Sequence, residues 1–227
     1  MRRGIPIRLL LGLVLALLLP SQGHATELGT ETCGGSGDLG ANWTVVTGFE
    51  MPQAGSGVCQ AKTLNVFAAA VYTGATWPDN QYAQFKVVTA STNNLRIGYL
   101  FLRYTTAART GYECMVRGPL GANATLTITR YNAGTPTTIA GGTAIYTVAS
   151  NDTIYCEIQG STLTMKVNGA TVLGPTADGT PIASGSAGMG VLAQGALTET
   201  QLDDWAGGDF PSSVMPQSVG WFPVVIQ

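Results

Sequence analysis

From Trp43 onward the sequence consists of short alternating or β-branched runs separated by Gly, Asn, Asp and Pro residues. Alternation of apolar and polar residues has the period of a strand, and no apolar stripe with helical spacing persists for three turns. The sequence therefore predicts an all-β fold with almost no helix. The expected strands are Trp43 to Thr47, Lys62 to Ala69, Gln81 to Thr89, Arg96 to Tyr104, Gly111 to Arg117, Thr125 to Tyr131, Thr143 to Val148, Thr153 to Gln159, Thr162 to Val167, Ala187 to Ala193 and Thr198 to Trp205.

These strands are amphipathic, so each has a core face and an outer face. Ile154, Cys156 and Ile158 are apolar and alternate with Tyr155 and Glu157, which the pattern places on the outer face. Many strands without helices predict two stacked antiparallel sheets. Short Gly-containing turns at 159–161 and 168–169 are typical of hairpins and are expected to connect neighbouring strands of this sandwich.

Residues 1–25 have the features of a secretory signal peptide. Arg2, Arg3 and Arg8 precede the apolar run Leu9 to Leu19, and small residues lead to a cleavage site after Ala25. An apolar run of this length is too short for a bilayer, which requires about 20 residues. The sequence therefore predicts an exported protein, secreted or periplasmic, with no membrane span after cleavage.

Removal of this segment changes the charge and the available chemistry. Three of the 11 basic residues leave and all 13 acidic residues stay, so 8 basic residues remain against 13 acidic ones, a net charge of −5. A mildly acidic chain has no electrostatic basis for binding nucleic acid. His24, the only histidine, leaves as well. Ser-His-Asp and Cys-His catalysis and histidine-ligated zinc are therefore excluded in the mature chain.

Four cysteines, Cys33, Cys59, Cys114 and Cys156, follow the predicted cleavage site. An even number of cysteines in an exported protein indicates two disulfides, and none of the spacings is that of a zinc knuckle or redox pair. Three pairings are possible. Pairing of Cys33 with Cys59 and of Cys114 with Cys156 is favoured, because the second pair would join two predicted strands.

Six short motifs occur in an order that resembles the concanavalin A-like lectin/glucanase superfamily, in particular its laminin G-like domains in secreted bacterial proteins. The motifs are Leu39 to Thr44, Pro78 to Gln84, Gly98 to Arg103, Val167 to Gly169, Gly185 to Gly190 and Leu202 to Trp205. The resemblance covers about residues 36 to 210, and the domain is expected to span residues 26–210. It implies a jelly-roll sandwich of two antiparallel sheets, and it implies carbohydrate binding or adhesion. The same fold also carries hydrolases, so the fold alone does not assign a function.

A glycosidase needs two carboxylates about 5 to 9 Å apart. The Glu-x-Asp-x-x-Glu strand of the glucanase branch is absent from this sequence. A pair such as Glu113 and Glu157 could still meet across strands, and a glycoside hydrolase or polysaccharide lyase therefore remains an alternative function.

The sequence favours a noncatalytic carbohydrate-binding or adhesive module, with a glycan or cell-surface polysaccharide as its partner. Sugars bind to a mixture of flat apolar rings and planar polar groups. The predicted ligand-binding residues lie on the outer faces of the central strands. They are Tyr82, Tyr99, Phe101, Arg103, Glu113, Arg117, Tyr155 and Glu157. For Tyr99 and Phe101 the alternative is burial in a core, and for the charged residues it is a solvated face.

The resemblance also implies a structural calcium ion, which is common in this superfamily, and no cofactor is required. Asp203 and Asp204 on the last predicted strand could supply hard oxygen ligands. The two side chains lie on opposite phases of a strand, so at most one of them would bind the ion.

The segment 211–227 differs in character from the rest of the chain. It contains prolines and ends in the apolar stretch Trp221 to Ile226. It could form a final strand, a tail packed on the sandwich, or a docking peptide that adds to the sheet edge of a protein partner. The last possibility makes a structural surface-assembly protein a further alternative.

Overall fold

Sixteen strands form two antiparallel sheets in a computed structural model that describes residues 25–89, 96–119, 121 and 123–210. The predicted signal peptide and the segment 211–227 lie outside the described residues, and both interpretations stay predictions. Within the described residues the chain has one short 3₁₀ turn, Leu197–Glu199, and no helix long and apolar enough to cross a bilayer. The all-β, two-sheet prediction is confirmed.

In chain order the strands are β1 (Thr26–Glu31), β2 (Gly37–Asp38), β3 (Trp43–Val45), β4 (Gln53–Gly55), β5 (Val58–Gln60), β6 (Ala68–Tyr72), β7 (Gln81–Thr89), β8 (Arg96–Thr105), β9 (Thr110–Arg117), β10 (Asn123–Asn132), β11 (Thr135–Thr147), β12 (Thr153–Gln159), β13 (Thr162–Val167), β14 (Ala170–Ala177), β15 (Ser186–Val191) and β16 (Gln201–Asp209). The nine-stranded sheet has the order β14-β13-β12-β7-β16-β5-β4-β2, with β1 also paired to β16. The seven-stranded sheet has the order β11-β10-β9-β8-β15-β6-β3.

Most of the predicted strands are present, and β7, β12 and β13 have the predicted bounds. The predicted strand Lys62 to Ala69 is wrong, because the strand at this place begins only at Ala68. Short strands and the exposed edge strand β14 carry little alternation, so the sequence pattern missed β1, β2, β4, β5 and β14.

Two tight hairpins set the register of β12, β13 and β14. The turn between β12 and β13 places Gln159 opposite Thr162 and contains Gly160 with a φ of +58°. The next turn has positive φ at both Asn168 and Gly169, +50° and +81°, which is the pattern of a type I′ hairpin turn. Both predicted hairpins are confirmed.

The main core lies between the two sheets and is crossed by a disulfide. Cys114 on β9 is bonded to Cys156 on β12, with 6.4 Å between their Cα atoms, so the bond joins the two sheets. Cys33 is bonded to Cys59, with 5.2 Å between their Cα atoms. The favoured pairing is confirmed. All four cysteines are fully buried.

The two ends of the described chain lie side by side in the nine-stranded sheet. β1 pairs with β16, and Thr26 is opposite Asp209 in this register. The backbone nitrogen of Thr26 donates a hydrogen bond to Asp209 Oδ1 over 2.8 Å.

Asp178, in the loop that follows β14, is a buried carboxylate with several donors. Tyr112 Oη donates to its Oδ2 over 2.7 Å, and Arg130 Nη1 lies 2.5 Å from its Oδ1. The Thr180 backbone amide also donates to Oδ1 over 3.0 Å. Burial alone would raise the pKa of Asp178, but the hydrogen bonds from Thr180, Tyr112 and Arg130 outweigh it and hold the pKa below its ordinary value of 3.8.

We expect Asp178 to contribute to acid sensitivity. The unfolded chain takes up this proton first as the pH falls, so the stabilisation is complete above pH 3.8 and is lost as the pH drops through the lower folded-state pKa. Asp178→Asn should lower the free energy of unfolding by about 2 kcal/mol at pH 7 and make its decline with acid shallower. Urea denaturation between pH 7 and pH 3 measures both effects.

The matched control is Asp38→Asn, which removes an exposed carboxylate that pairs with Lys62 at 2.9 Å. We expect a change below about 1 kcal/mol from this control, because exposed ion pairs contribute little. Identical pH curves for wild type and Asp178→Asn would contradict the assignment.

Candidate functional site

The eight predicted ligand-binding residues lie in three separate places. β7 and β12 belong to the nine-stranded sheet, whereas β8 and β9 belong to the seven-stranded sheet. The outer faces of these sheets point in opposite directions, because the core lies between them. The eight residues therefore do not form one surface.

Tyr99 and Phe101 project from the outer face of the seven-stranded sheet, as predicted, but this face is covered. Their side chains are 1% and 0% exposed. The ring of Phe67 packs 4.4 Å from that of Tyr99, and Phe49 packs 4.7 Å from Phe67, in a second hydrophobic cluster. The prediction of an open aromatic face at these residues is wrong, because other parts of the chain lie over it.

Arg103 is displaced from the outer face by an irregularity in β8. The register of β8 against β9 shifts after Leu102, and Arg103 has a φ of +48° in the left-handed region. Its side chain is buried and donates to three backbone carbonyls, those of Asp79 (2.6 Å), Ile182 (2.7 Å) and Gly160 (2.8 Å). The guanidinium therefore ties loops together at one end of the sandwich and presents no free surface to a ligand.

Glu113 and Arg117 lie on β9, on the outer face of the seven-stranded sheet. Glu113 is half-buried and Arg117 is exposed. Each of Glu113 and Glu157 is next in sequence to a cysteine of the inter-sheet disulfide. Successive side chains of a strand point to opposite faces, so the two glutamates point away from each other on opposite sides of the sandwich. They do not form the carboxylate pair that the enzyme alternative requires.

Tyr82, Tyr155 and Glu157 come together on the outer face of the nine-stranded sheet. Glu157 is opposite Tyr82 across β12 and β7, and the rings of Tyr82 and Tyr155 stack with 5.3 Å between centroids and 19° between planes. Phe210 packs against the edge of this pair, 5.6 Å from Tyr82. We call the outer surface formed by β7, β12, β13 and β14 the polar face.

Lys166 is a central residue of the polar face that the sequence analysis missed. Its Nζ lies 2.9 Å from Glu157 Oε2 and 5.1 Å from the ring centroid of Tyr155. The ring of Tyr155 therefore contacts both the ring of Tyr82 and the Lys166 ammonium. This pairing could have been predicted from the sequence, because a two-residue turn at Gly160 and Ser161 places Lys166 directly opposite Tyr155.

Two open depressions flank Lys166. The larger depression has a volume of about 520 Å³ and is bordered by Lys166, Glu157, Gln159, Thr162, Thr164, Thr171 and Pro175. The smaller depression has a volume of about 280 Å³ and is bordered by Lys166, Gln84, Thr153, Tyr155 and Gly169. Hydroxyls, an amide side chain and Lys166 supply donors and acceptors in both depressions, and the larger one also has the Glu157 carboxylate.

The phenols of the polar face stay protonated at neutral pH. Burial raises the pKa of Tyr155, and the adjacent Glu157 carboxylate raises it further. Burial also raises the pKa of Tyr82, with contributions from Glu27 and Asp209. Each phenol is therefore a hydrogen-bond donor over the whole neutral range.

Asp203 and Asp204 each have a neighbouring partner in the structure. Asp203 Oδ1 accepts a hydrogen bond from the Asp204 backbone amide over 2.8 Å, and Asp204 Oδ2 lies 3.9 Å from Lys86 Nζ. In the part of the chain that the structure describes, no group of three or more His, Cys, Asp and Glu side chains could hold a metal ion. Calcium takes six to eight oxygen ligands, including backbone carbonyls and water, so a calcium ion at Asp203 or Asp204 stays a prediction.

Comparisons with solved structures identify the fold. The lumenal domain of VIP36 bound to Ca²⁺ and Man3GlcNAc has a TM-score of 0.58 and 10% identity, with 84% of this chain and 93% of that chain covered. The carbohydrate-binding module CBM66 from Bacillus subtilis has a TM-score of 0.52 and 17% identity, with 74% of this chain and 92% of that chain covered. A lichenase from a mouse hindgut metagenome has a TM-score of 0.53 and 13% identity, with 82% and 100% covered.

The chain has the concanavalin A-like jelly-roll fold, as the sequence motifs predicted. No family model matches the sequence, and no curated protein shows significant sequence similarity. At these identities the structural likeness establishes the fold alone. The function has to be argued from the residues of the polar face.

Proposed function

We propose that this protein is a secreted, noncatalytic carbohydrate-binding module that holds its glycan on the polar face. The supporting observation is the Glu157–Lys166 ion pair in an open surface lined by hydroxyls and amides. The solved structures with this fold include a carbohydrate-binding module, a mannose-bound lectin domain and a glucanase.

The ion pair has the chemistry that sugar hydroxyls require. A carboxylate accepts and an ammonium donates, so two neighbouring hydroxyls can bind with one donating to Glu157 and the other accepting from Lys166. Glu157 is only 8% exposed, and its position is fixed by Lys166 and by the neighbouring strand β7. A preorganised pair costs little to order when a ligand arrives.

The arrangement favours binding over hydrolysis. A glycosidase needs a proton donor and a second carboxylate within about 5 to 9 Å, on either side of the scissile bond. Glu157 is engaged by a cation, and Glu113 points away on the other sheet. We therefore assign Glu157 a binding role.

Export is the proposed route to this function. Two buried disulfides are typical of proteins that fold in an oxidising compartment, and the predicted signal peptide would deliver residues 26–227 there. Residues 26–210 would form the binding domain after cleavage following Ala25.

We expect Glu157→Gln to weaken glycan binding at least tenfold. The substitution keeps the shape of the side chain but replaces a charged acceptor, and hydrogen bonds to charged groups contribute about 1.5 to 3 kcal/mol. A glycan array with purified protein identifies the bound sugars, and titration calorimetry then compares wild type with the variant. Thermal melting of both proteins shows whether the variant is folded.

The matched control is Glu113→Gln on the opposite sheet, which should leave affinity unchanged. Loss of binding in Glu113→Gln but not in Glu157→Gln would show that the binding site is on the seven-stranded sheet. Failure of folded wild-type protein to bind any glycan on the array would overturn the proposal.

A further inference from the structure

We propose that the polar face binds a neutral linear oligosaccharide in two adjoining subsites along β12 and β13, and that Lys166 contributes to both. This inference rests on the proposed function and specifies its ligand. The larger and the smaller depression each form one of these subsites.

The positions of the two depressions follow from the register of the hairpin. Side chains on one face of a strand recur about every 7 Å, so the smaller depression at Tyr155 and the larger one at Glu157 follow each other along β12. On β13 the order is Lys166, then Thr164, then Thr162, which continues along the larger depression. The line through the two subsites therefore runs along the strands and is shifted sideways by one strand, from the β7 side to the β14 side.

Lys166 borders both depressions and is the shared element of the subsites. Its ammonium carries three donors, and the ion pair with Glu157 uses one of them. Its partners Tyr155 and Glu157 belong to different depressions, so the ammonium lies at the boundary between the two. A sugar in either subsite can accept a hydrogen bond from it.

The charge of the two depressions favours a neutral ligand. The charged residues that border them are Glu157 and Lys166, whose charges cancel, and the remaining polar groups are uncharged hydroxyls and amides. An acidic sugar in the larger depression would bring its carboxylate or sulfate next to Glu157. Desolvating two like charges close together is unfavourable, so uronic acids and sulfated sugars are disfavoured.

The turns at the two ends of this path are open, which suits a chain that continues beyond the subsites. Gly169 borders the smaller depression at the turn between β13 and β14, and a Cβ atom placed there would meet no atom within 4 Å. Gly160 at the opposite turn is equally unobstructed. Chain-internal units, and not only a terminal sugar, can therefore occupy the polar face.

The test is the dependence of affinity on chain length. Titration calorimetry of purified protein with cello-, xylo-, manno- and laminari-oligosaccharides of one to five units should identify at least one series whose affinity rises tenfold or more between one and three units. Oligogalacturonides of the same lengths serve as the anionic comparison and should bind at least tenfold more weakly than that series.

Variants assign each subsite separately. Gln84→Ala in the smaller depression and Thr162→Ala in the larger should each lower the affinity for the trisaccharide several-fold, and Lys166→Met should lower it further than either. Thr137→Ala, an exposed threonine on β11 of the other sheet, is the control and should have no effect. The melting temperature of each variant is compared with that of wild type.

The outcomes separate this inference from the proposed function. A monosaccharide that binds as tightly as its tetrasaccharide would overturn the two-subsite arrangement while leaving sugar binding at the polar face intact. Tighter binding of oligogalacturonides would overturn the neutral ligand. Sugar binding of any length that is insensitive to Glu157→Gln would overturn the proposed function itself.

Discussion

Replacing Arg103 by Met is expected to lower the free energy of unfolding by about 4 kcal/mol while leaving glycan affinity unchanged at temperatures where the variant is folded. The guanidinium donates to three carbonyls, those of Asp79, Gly160 and Ile182, and Arg103 is 3% exposed. Each hydrogen bond to a charged group contributes about 1.5 to 3 kcal/mol, and rehydration of the freed carbonyls offsets part of the sum. Urea denaturation and calorimetry measure the two quantities.

Arg103→Lys provides a second, milder variant. A lysine has one compact head group and cannot reach three carbonyls in the fork geometry of a guanidinium, so most of the destabilisation should persist. Arg117→Met is the matched control on the exposed end of β9, and its effect should stay within about 0.5 kcal/mol. If the Arg103→Met protein has normal stability but no longer binds glycan, the structural role is wrong and Arg103 is a ligand-binding residue.

The second large effect is expected from the disulfide between the sheets. Replacing both Cys114 and Cys156 by Ala should cost about 4 kcal/mol, because the bond closes a loop with a sequence separation of 42 and restricts the unfolded chain. For a domain of this size the melting temperature should fall by about 10 °C. Differential scanning calorimetry measures this shift directly.

Replacing Cys33 and Cys59 by Ala is the comparison. Their sequence separation is 26, and loop closure alone then gives about 3.5 kcal/mol, slightly less than for the longer loop. The order of the two effects is therefore the informative result. A Cys114→Ala/Cys156→Ala protein within 1 kcal/mol of wild type would show that core packing, and not the bond, holds the sheets together.

The sequence predicted which side chains of a strand point to the core, but it did not predict whether the outer face of that strand is exposed. Leu100 and Leu102 are in the main core as the alternation indicates, and Tyr99 and Phe101 do point the other way. Their cover comes from Phe49 and Phe67, more than 30 residues away in the sequence. No local pattern reports such a contact, although strand 98–102 is apolar on both phases, which is typical of burial on both sides.

Two further misses have different causes. The side chain of Arg103 does not lie on the predicted face, because a positive φ and a register shift interrupt the alternation there. A prediction from side-chain periodicity assumes a regular strand. Lys166 was missed because alternation within one strand does not show which side chains lie opposite each other, and only the hairpin register pairs Lys166 with Tyr155. In contrast, the disulfide pairing was predictable, since it links two strands whose cysteines both face inward.

The hydrogen bond between Thr26 and Asp209 has a consequence for maturation. The backbone nitrogen of Thr26 is an amide in the uncut chain, and it lies 2.8 Å from a carboxylate oxygen. Cleavage after Ala25, as the sequence predicts, would convert this nitrogen into a free α-ammonium at the same place. The cut that releases the protein would thereby replace a neutral amide donor with a cation and create an ion pair between the first and last strands of the domain, so that processing itself would strengthen the contact between the two ends of the sheet.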